Sequence, residues 1–190
     1  MDNREIIAVT GTPGTGKSSV ACEMASEWNY QLIEINSIIE DEGIYEFDEN
    51  GTKLVDAEDL VGVLSNLIGV GDDNLILDGH LSHLLPSNLI SRIVVLRTDP
   101  KVLKERLKRR GYEDDKLREN LESEALGVIM GEVLKLHEES KIYEINTTQM
   151  DSSEVLEILE KAFELGTHHP EPIDWLEEIM NMEDFGFNEG

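Results

Sequence analysis

The sequence has little of what disulfide-rich, secreted or membrane-spanning proteins need. Its 190 residues include one cysteine, Cys22, so no disulfide can form within the chain. No apolar run approaches the roughly 18 to 20 residues that cross a bilayer, and the first residues show no signal-peptide pattern. We therefore expect a cytoplasmic protein without membrane contacts, in which Cys22 is a reduced packing residue on a helix.

Basic residues are also scarce. The chain has 16 lysines and arginines but 41 aspartates and glutamates, which gives a net charge of −25. Such a charge argues against general binding to nucleic acid or to anionic membranes. Two explanations remain open: an acidic surface adapted to a salty or hot cytoplasm, and a surface for a basic partner. The length and the 39% hydrophobic content fit one globular domain.

The most specific pattern is Gly-Thr-Pro-Gly-Thr-Gly-Lys-Ser at residues 11–18, a complete match to G-x-x-x-x-G-K-[ST]. It follows an apolar run and precedes a helical stretch, the context in which this motif forms a phosphate-binding loop (P-loop). The backbone N–H groups of the loop and the positive end of the next helix bind phosphate oxygens. We expect Lys17 to bind the β- and γ-phosphates of a nucleoside triphosphate and the Ser18 hydroxyl to bind Mg²⁺.

More than half of the basic residues lie in one short segment. Residues 97–118 contain nine basic and five acidic residues, a local charge of +4. Arg106 and Arg110 are four residues apart and therefore share one helical face, and a guanidinium suits bidentate contact with phosphate. We expect both to contact the same phosphate chain. Two roles fit Arg97: contact with the cleft, or an ion pair with Asp99.

A second group of candidate residues follows the apolar run 75–77. Asp78 ends this predicted strand, as the carboxylate on the Mg²⁺ side of P-loop proteins does; a turn or helix-cap aspartate is the alternative. His80 is placed where an imidazole can orient an attacking water or a phosphoryl acceptor. For His83 we expect a structural hydrogen bond. A zinc site is not expected, because no further Cys or His lies nearby in the sequence.

Short apolar runs alternate with helical periodicity along the chain. This pattern predicts an α/β fold of three layers, with a five-stranded parallel sheet covered by helices on both faces. The strands are expected near 5–10, 31–35, 74–78, 92–97 and 141–146. The helices are expected near 16–28, 56–68, 100–109, 114–139 and 152–165.

Three segments interrupt this pattern. Residues 37–53 are acidic and lack a strong period, which predicts a mobile insertion beside the nucleotide site. Residues 109–119 are charged and form a second candidate cover, because water must be excluded from the γ-phosphate before transfer. After Gly166 we expect a break at 168–172, a short amphipathic helix over 173–180 and a frayed end from 181 to 190.

With these residues in place, the sequence resembles the adenylate kinase isoenzyme 6 family in its archaeal form. The resemblance rests on Gly-Thr-Pro-Gly-Thr-Gly-Lys-Ser-Ser (11–19), Leu-Asp-Gly-His-Leu-Ser-His-Leu-Leu-Pro (77–86), Val-Val-Leu-Arg-Thr (94–98), Glu-Arg-Leu-Lys-Arg-Arg-Gly-Tyr (105–112) and Asp-Trp (174–175). It implies a P-loop kinase domain over 1–166, with a monophosphate-binding insertion at about 34–55 and a lid at about 109–119. The acidic extension 167–190, with its short helix, follows.

The family further implies ATP-dependent phosphorylation of AMP, ATP hydrolysis, and a role in maturing the small ribosomal subunit with a basic ribosomal protein as partner. Asp78 and His80 match the family's Asp-x-His motif beside the γ-phosphate. The implied ATP contacts are Gly14, Gly16, Lys17, Ser18, Ser19 and Arg110. Some members carry an arginine in the insertion where this chain has Ile39-Glu40-Asp41, and Arg97 is the candidate substitute.

These observations predict a nucleoside monophosphate kinase that uses Mg·ATP and AMP. The rival hypothesis is an ATPase switch, a ribosome assembly factor that binds a basic ribosomal protein; the net charge and the absent insertion arginine favour it. A third hypothesis, a kinase of another small acceptor such as shikimate, follows from the fold class alone. For the kinase, the residues predicted to carry the chemistry are Lys17, Asp78, His80, Arg106 and Arg110.

Overall fold

The computed structural model describes residues 4–47, 53–69, 71–166 and 172–182. Its main sheet has five parallel strands, in the spatial order β2-β5-β1-β6-β7, and a small antiparallel hairpin joins β3 to β4. The strands are β1 (Ile6–Gly11), β2 (Gln31–Glu34), β3 (Glu46–Phe47), β4 (Lys53–Leu54), β5 (Leu75–Asp78), β6 (Arg92–Arg97) and β7 (Ile142–Asn146). The predicted five-stranded parallel sheet is thus confirmed.

Helices cover both faces of the sheet. They are α1 (Lys17–Trp28), α2 (Ile35–Glu42), α3 (Ala57–Ile68), α4 (Pro100–Arg109), α5 (Asp114–Ala125), α6 (Val128–Leu136), α7 (Ser152–Leu165) and α8 (Leu176–Met180). Short 3₁₀ turns occur at Ser82–Leu84 and Glu139–Lys141. None of the helices within the described residues has both the length and the apolar content to cross a bilayer.

The central strand β1 explains why the sheet is buried on both sides. Ile6 and Ala8 pack into one apolar cluster with α2, α3 and α6. Ile7 and Val9 point the other way and pack with α1 and α7, as the period of two along a strand requires. Register pairs Val9 with Asp78 and Gly11 with Leu96, so the carboxyl ends of β5, β1 and β6 meet at one edge of the sheet.

One long predicted helix is two helices. The stretch expected as a single helix over 114–139 divides into α5 and α6 at Leu126 and Gly127, and Gly127 has φ 61°. A left-handed residue cannot continue a right-handed helix. The prediction was wrong because the apolar spacing continues across the break, so the turn at Gly127 changes direction without interrupting the hydrophobic pattern.

Two local expectations also need correction. Residues expected to lack helical period form α2, in which Ile35, Ile38 and Ile39 share the spacing of one helical face and pack against the core. Cys22 was expected to pack inside but is exposed, because the buried face of α1 consists of Val20, Ala21, Met24 and Ala25.

The C-terminal segment 172–182 packs against α4 and α5. Ile179 and Met182 join an apolar cluster with Leu103, Leu107 and Leu121, and Trp175 lies at its edge. The helix expected over 173–180 is the shorter α8. Residues 167–171 and 183–190 lie outside the described residues, and with them most of the predicted break and of the predicted frayed end.

Candidate functional site

The loop between β1 and α1 has the backbone that the motif requires. Gly11, Gly14 and Gly16 have φ of 138°, 93° and 100°, angles that residues with a Cβ rarely adopt. A Cβ on Gly14 would lie 2.8 Å from Leu103 Cδ1, so glycine also lets the loop pack closely on α4. Gly16 caps α1, which directs the positive end of the helix dipole toward an anion bound in the loop.

Lys17 begins α1 and is held by the loop itself. Its Nζ donates to the carbonyl oxygen of Thr12 at 3.0 Å. Burial lowers the pKa of Lys17 to about 8, although the negative charges of Asp78 and Glu124 act in the opposite direction. The ammonium is therefore a weakly solvated cation, and an anion that reaches it meets little competition from water.

Asp78 ends β5 and lies beside the start of α1. Burial raises the pKa of its carboxyl, while a hydrogen bond with the Ser18 hydroxyl and the charge of Lys17 lower it in part. Asp78 Oδ1 is buried and has no hydrogen-bond partner, a state that costs free energy unless a ligand completes it. A carboxylate oxygen beside a hydroxyl fits the hard oxygen ligands that Mg²⁺ takes.

Ser18 and Asp78 offer only two side chains to a metal ion. Within residues 4–47, 53–69, 71–166 and 172–182, no three His, Cys, Asp or Glu side chains are grouped so as to hold a metal ion. A divalent ion held by Ser18 and Asp78 would take its remaining ligands from phosphate oxygens and water, as Mg²⁺ does in nucleotide sites.

His80 follows Asp78 and is half-buried at the site. Burial, followed by the charges of Lys17 and His83, lowers the pKa of His80 to about 4, so its imidazole is neutral at pH 7. His83 is 1% exposed and lies 3.1 Å from Thr10 Oγ1 through Nδ1 and 3.1 Å from Glu132 Oε2 through Nε2. These contacts are structural, and they fix the turn that carries His80.

One cavity of about 230 Å³ brings most of the predicted residues together. Its lining includes two residues that the sequence reasoning missed, Asn36 at the start of α2 and Tyr112 after α4. Asn36 carries no motif and is found only through its position directly after β2. The cavity is lined by Pro13, Gly14, Gly16, Lys17, Ser18, Ser19, Asn36, Asp78, Gly79, His80, Arg110 and Tyr112.

The side chains of Arg106 and Arg110 do not reach the same part of the site. Arg110 lines the cavity, whereas the Arg106 guanidinium donates to the carbonyls of Thr147 (3.0 Å), Thr148 (3.3 Å) and Gly14 (3.4 Å). The expectation that both contact the same phosphate chain is therefore revised for Arg106. Its five N–H donors are directed at backbone oxygens that the sequence could not place beside α4.

Arg97 takes neither of its two expected roles. It lies in the interior, with Nε 2.9 Å from Glu124 Oε1 and Nη1 2.7 Å from Glu144 Oε1. Asp99 instead caps α4 and accepts from the backbone N–H of Lys101. Arg97 therefore does not replace a cation in the insertion. Glu124 was not singled out from the sequence, because its neighbours in space lie far away along the chain.

The insertion contains a larger and more acidic cavity. The volume of this cavity is about 520 Å³. Lys53, at the start of β4, pairs with Glu40, and its Nζ lies 4.3 Å from the centre of the Tyr45 ring. Between Lys17 and Arg92, Lys53 is the sole lysine or arginine in the sequence. The lining residues are Gly43, Ile44, Tyr45, Glu46, Leu54, Val55, Asp56 and Asp59.

Solved structures of small kinases share this architecture. The shikimate kinase of Acinetobacter baumannii in complex with shikimate aligns with a TM-score of 0.62 at 15% identity, over 87% of this chain and 96% of that one. The shikimate kinase of Bacteroides thetaiotaomicron aligns with a TM-score of 0.58 at 20% identity, over 84% and 98%. At these identities the likeness concerns the fold alone.

Sequence relatives are much closer. The AAA domain family matches residues 7–127. Archaeal proteins named "Putative adenylate kinase" are 41% identical in Archaeoglobus fulgidus, over 92% of this chain and 93% of the relative, and 37% identical in Methanosarcina barkeri, over 90% and 98%. Similarity of this extent shows that the chain belongs to this archaeal family of P-loop kinases, the family that its motifs resemble.

Proposed function

We propose that this chain is a nucleoside monophosphate kinase that transfers the γ-phosphoryl group of ATP to AMP and yields two molecules of ADP. The observation that carries the proposal is the cavity of about 230 Å³ that joins the P-loop, Asp78 and Arg110. The names of the archaeal relatives support adenylate as the nucleotide class.

Seven of the lining residues have roles that their chemistry suits. The N–H groups around Gly14 and Gly16 bind phosphate oxygens, and Ser19 adds a hydroxyl at the start of α1. Lys17 binds the β- and γ-phosphates. Ser18 and Asp78 would hold Mg²⁺, which would neutralise charge on the phosphates. Arg110 places its guanidinium on the charge that spreads over the transferring group.

The reaction needs no strong base. The acceptor is a phosphate oxygen of AMP, which is largely ionised at pH 7 because a phosphate monoester has a second pKa of about 6. A neutral His80, whose pKa is lowered to about 4, therefore serves to orient the acceptor oxygen or a water rather than to remove a proton. No covalent intermediate forms, and Arg106 acts by fixing the Gly14 carbonyl.

The test is a comparison of ADP formation with phosphate release, each measured with and without AMP. The kinase requires that AMP raises the rate of ADP formation well above the rate of hydrolysis. Arg110→Gln should lower transfer strongly, whereas Lys108→Gln, at an exposed position two residues earlier in the last turn of α4, should leave it unchanged. Equal rates with and without AMP would rule out AMP as the acceptor.

A second candidate function is an ATPase switch that acts in assembly of the small ribosomal subunit. It is favoured by the scarcity of cations on the acceptor side, where Lys53 is already paired with Glu40, and by the net charge of −25, which suits a basic ribosomal protein. His80→Ala should then abolish AMP-independent phosphate release. A purified small-subunit protein mixture that yields no bound protein at low salt would count against this function.

A further inference from the structure

Glu124 is a buried carboxylate that connects α5 to the P-loop. It is 1% exposed. Its Oε2 accepts a hydrogen bond from Thr12 Oγ1 at 2.5 Å, and its Oε1 accepts from Arg97 Nε and from the backbone N–H of Thr98, each at 2.9 Å. Three elements thus meet at one side chain: the P-loop, the end of β6 with the residue that follows it, and α5.

Thr12 carries the connection onward to Lys17. Thr12 is 2% exposed, so its hydroxyl has no access to bulk water as an alternative partner. The carbonyl oxygen of the same residue accepts from Lys17 Nζ at 3.0 Å and from Thr15 Oγ1 at 2.9 Å. The residue that Glu124 binds by its side chain is therefore the residue that holds the P-loop lysine by its backbone.

The charges around Glu124 support a role beyond packing. Arg97 lies between two carboxylates, Glu124 and Glu144, so these three groups carry one net negative charge. A buried excess charge is expensive unless a cation or several hydrogen bonds compensate it. The hydrogen bond from Thr12 Oγ1 supplies part of this compensation at Oε2.

We propose that Glu124 is a positioning residue for phosphoryl transfer: through the Thr12 hydroxyl it fixes the carbonyl that holds the Lys17 ammonium in place before a nucleotide binds. The proposal rests on the proposed function in that Mg·ATP is the ligand of this loop. Because α5 starts two residues after Tyr112, which lines the cavity, one helix extends from the edge of the cavity to the side chain that fixes its lysine.

Thr12→Val tests the connection with little change of shape, since it replaces the hydroxyl with a methyl group. Loss of a hydrogen bond to a charged group corresponds to roughly a tenfold change in affinity or more. We therefore expect a Kd for Mg·ATP at least tenfold higher than that of the wild type. Thr12→Ser, which restores the hydroxyl, should bind within about twofold of the wild type.

A matched control removes a hydroxyl group that binds the other end of β1, away from the P-loop. Ser91 Oγ accepts from the backbone N–H of Ile6 at 3.2 Å, so Ser91→Ala also removes one side-chain hydrogen bond, here to the first residue of β1, but lies far along the chain from Lys17. Its Kd for Mg·ATP should equal that of the wild type. A Thr12→Val protein with lower thermal stability and an unchanged Kd would show a packing role only and overturn the proposal.

A second measurement needs no nucleotide and therefore separates this proposal from the proposed function. In Glu124→Gln the acceptor oxygen for Arg97 and Thr98 remains but the charge is lost. Amine labelling of Lys17 at one fixed pH, followed by mass spectrometry, should proceed faster than in the wild type, because the Lys17 side chain is held less firmly against the Thr12 carbonyl. An unchanged labelling rate in both Glu124→Gln and Thr12→Val overturns the proposal even if the wild type binds no ATP.

Discussion

The burial of Lys17 leads to a direct prediction of how the affinity for Mg·ATP depends on pH. Because burial lowers its pKa to about 8, the ammonium loses its proton as the pH rises through that value, two units below the range of an ordinary lysine. We expect the Kd for Mg·ATP to be constant near pH 7 and to rise above pH 8, approaching tenfold per pH unit. Titration calorimetry from pH 7 to 9.5 measures this.

Lys17→Arg supplies the control for that profile, since arginine stays protonated over the whole range. Its affinity for Mg·ATP should be weaker at pH 7 but should change little with pH. A wild-type Kd that stays flat to pH 9.5 would contradict the lowered pKa of Lys17.

Asp78 makes a prediction that separates activity from stability. Asp78→Asn keeps the shape and a partner for Ser18 but removes the charge that we propose holds Mg²⁺, so we expect kcat to fall on the order of 100-fold. Burial disfavours the ionised carboxyl, so the free energy of unfolding should be unchanged or higher. Mg²⁺ titration of the rate and thermal unfolding measure the two effects.

Asp72→Asn, an exposed change just before β5, should alter neither quantity. Equal losses of stability and rate in Asp78→Asn would indicate a structural aspartate, the alternative that the sequence left open.

The sequence was informative for residues whose partners are near in the chain. The P-loop glycines, Lys17, Ser18 and Asp78 could be placed because a motif or a strand end fixes their surroundings. Arg97, Arg106 and Glu124 could not be placed, since most of their partners are 26 to 112 residues away along the chain and charge alone does not select one carboxylate among 41 acidic residues.

At the level of elements, the turn between α5 and α6 depends on one glycine. Gly127 has φ 61°, and a Cβ there would lie 3.5 Å from Arg97 Nη1. Gly127→Ala should therefore lower the free energy of unfolding by about 1 kcal/mol or more. Chemical denaturation measures the change.

Gly131→Ala is the matched control within α6, where an added Cβ meets nothing within 4 Å. It should raise the free energy of unfolding by about 0.5 to 1 kcal/mol, because alanine is the better helix former. If both substitutions stabilise the protein, α5 and α6 can join into one helix, as the sequence pattern had predicted.

The element boundaries show which features of the fold hydrophobic periodicity alone does not predict. The five strands of the main sheet were predictable because a buried parallel strand is a short apolar run with turn residues on both sides, whereas the short exposed strands β3 and β4 were not predicted. The break within 114–139 and the helix α2 were not predicted. A left-handed turn does not interrupt the spacing of apolar residues, and a helix of eight residues is too short to show that spacing clearly.

For the whole molecule, the C-terminal segment is an integral contact rather than a loose extension. Ile179 is 6% exposed and packs with Leu103, Leu107 and Leu121. Ile179→Ala should lower the free energy of unfolding by about 2 kcal/mol or more. Met180→Ala, at a side chain that is 56% exposed, should have almost no effect, and equal small effects would show that α8 contributes little to the domain.

The contact between Thr12 and Glu124 spans 112 positions of the chain, and β1 forms its ladders with strands that follow it by more than 60 residues. During synthesis the P-loop therefore emerges long before the residues that complete its surroundings, and such long-range pairing is slow to form. We therefore expect nucleotide capture to be a late event in folding. Retention of ATP by newly translated chains would report that the fold is complete.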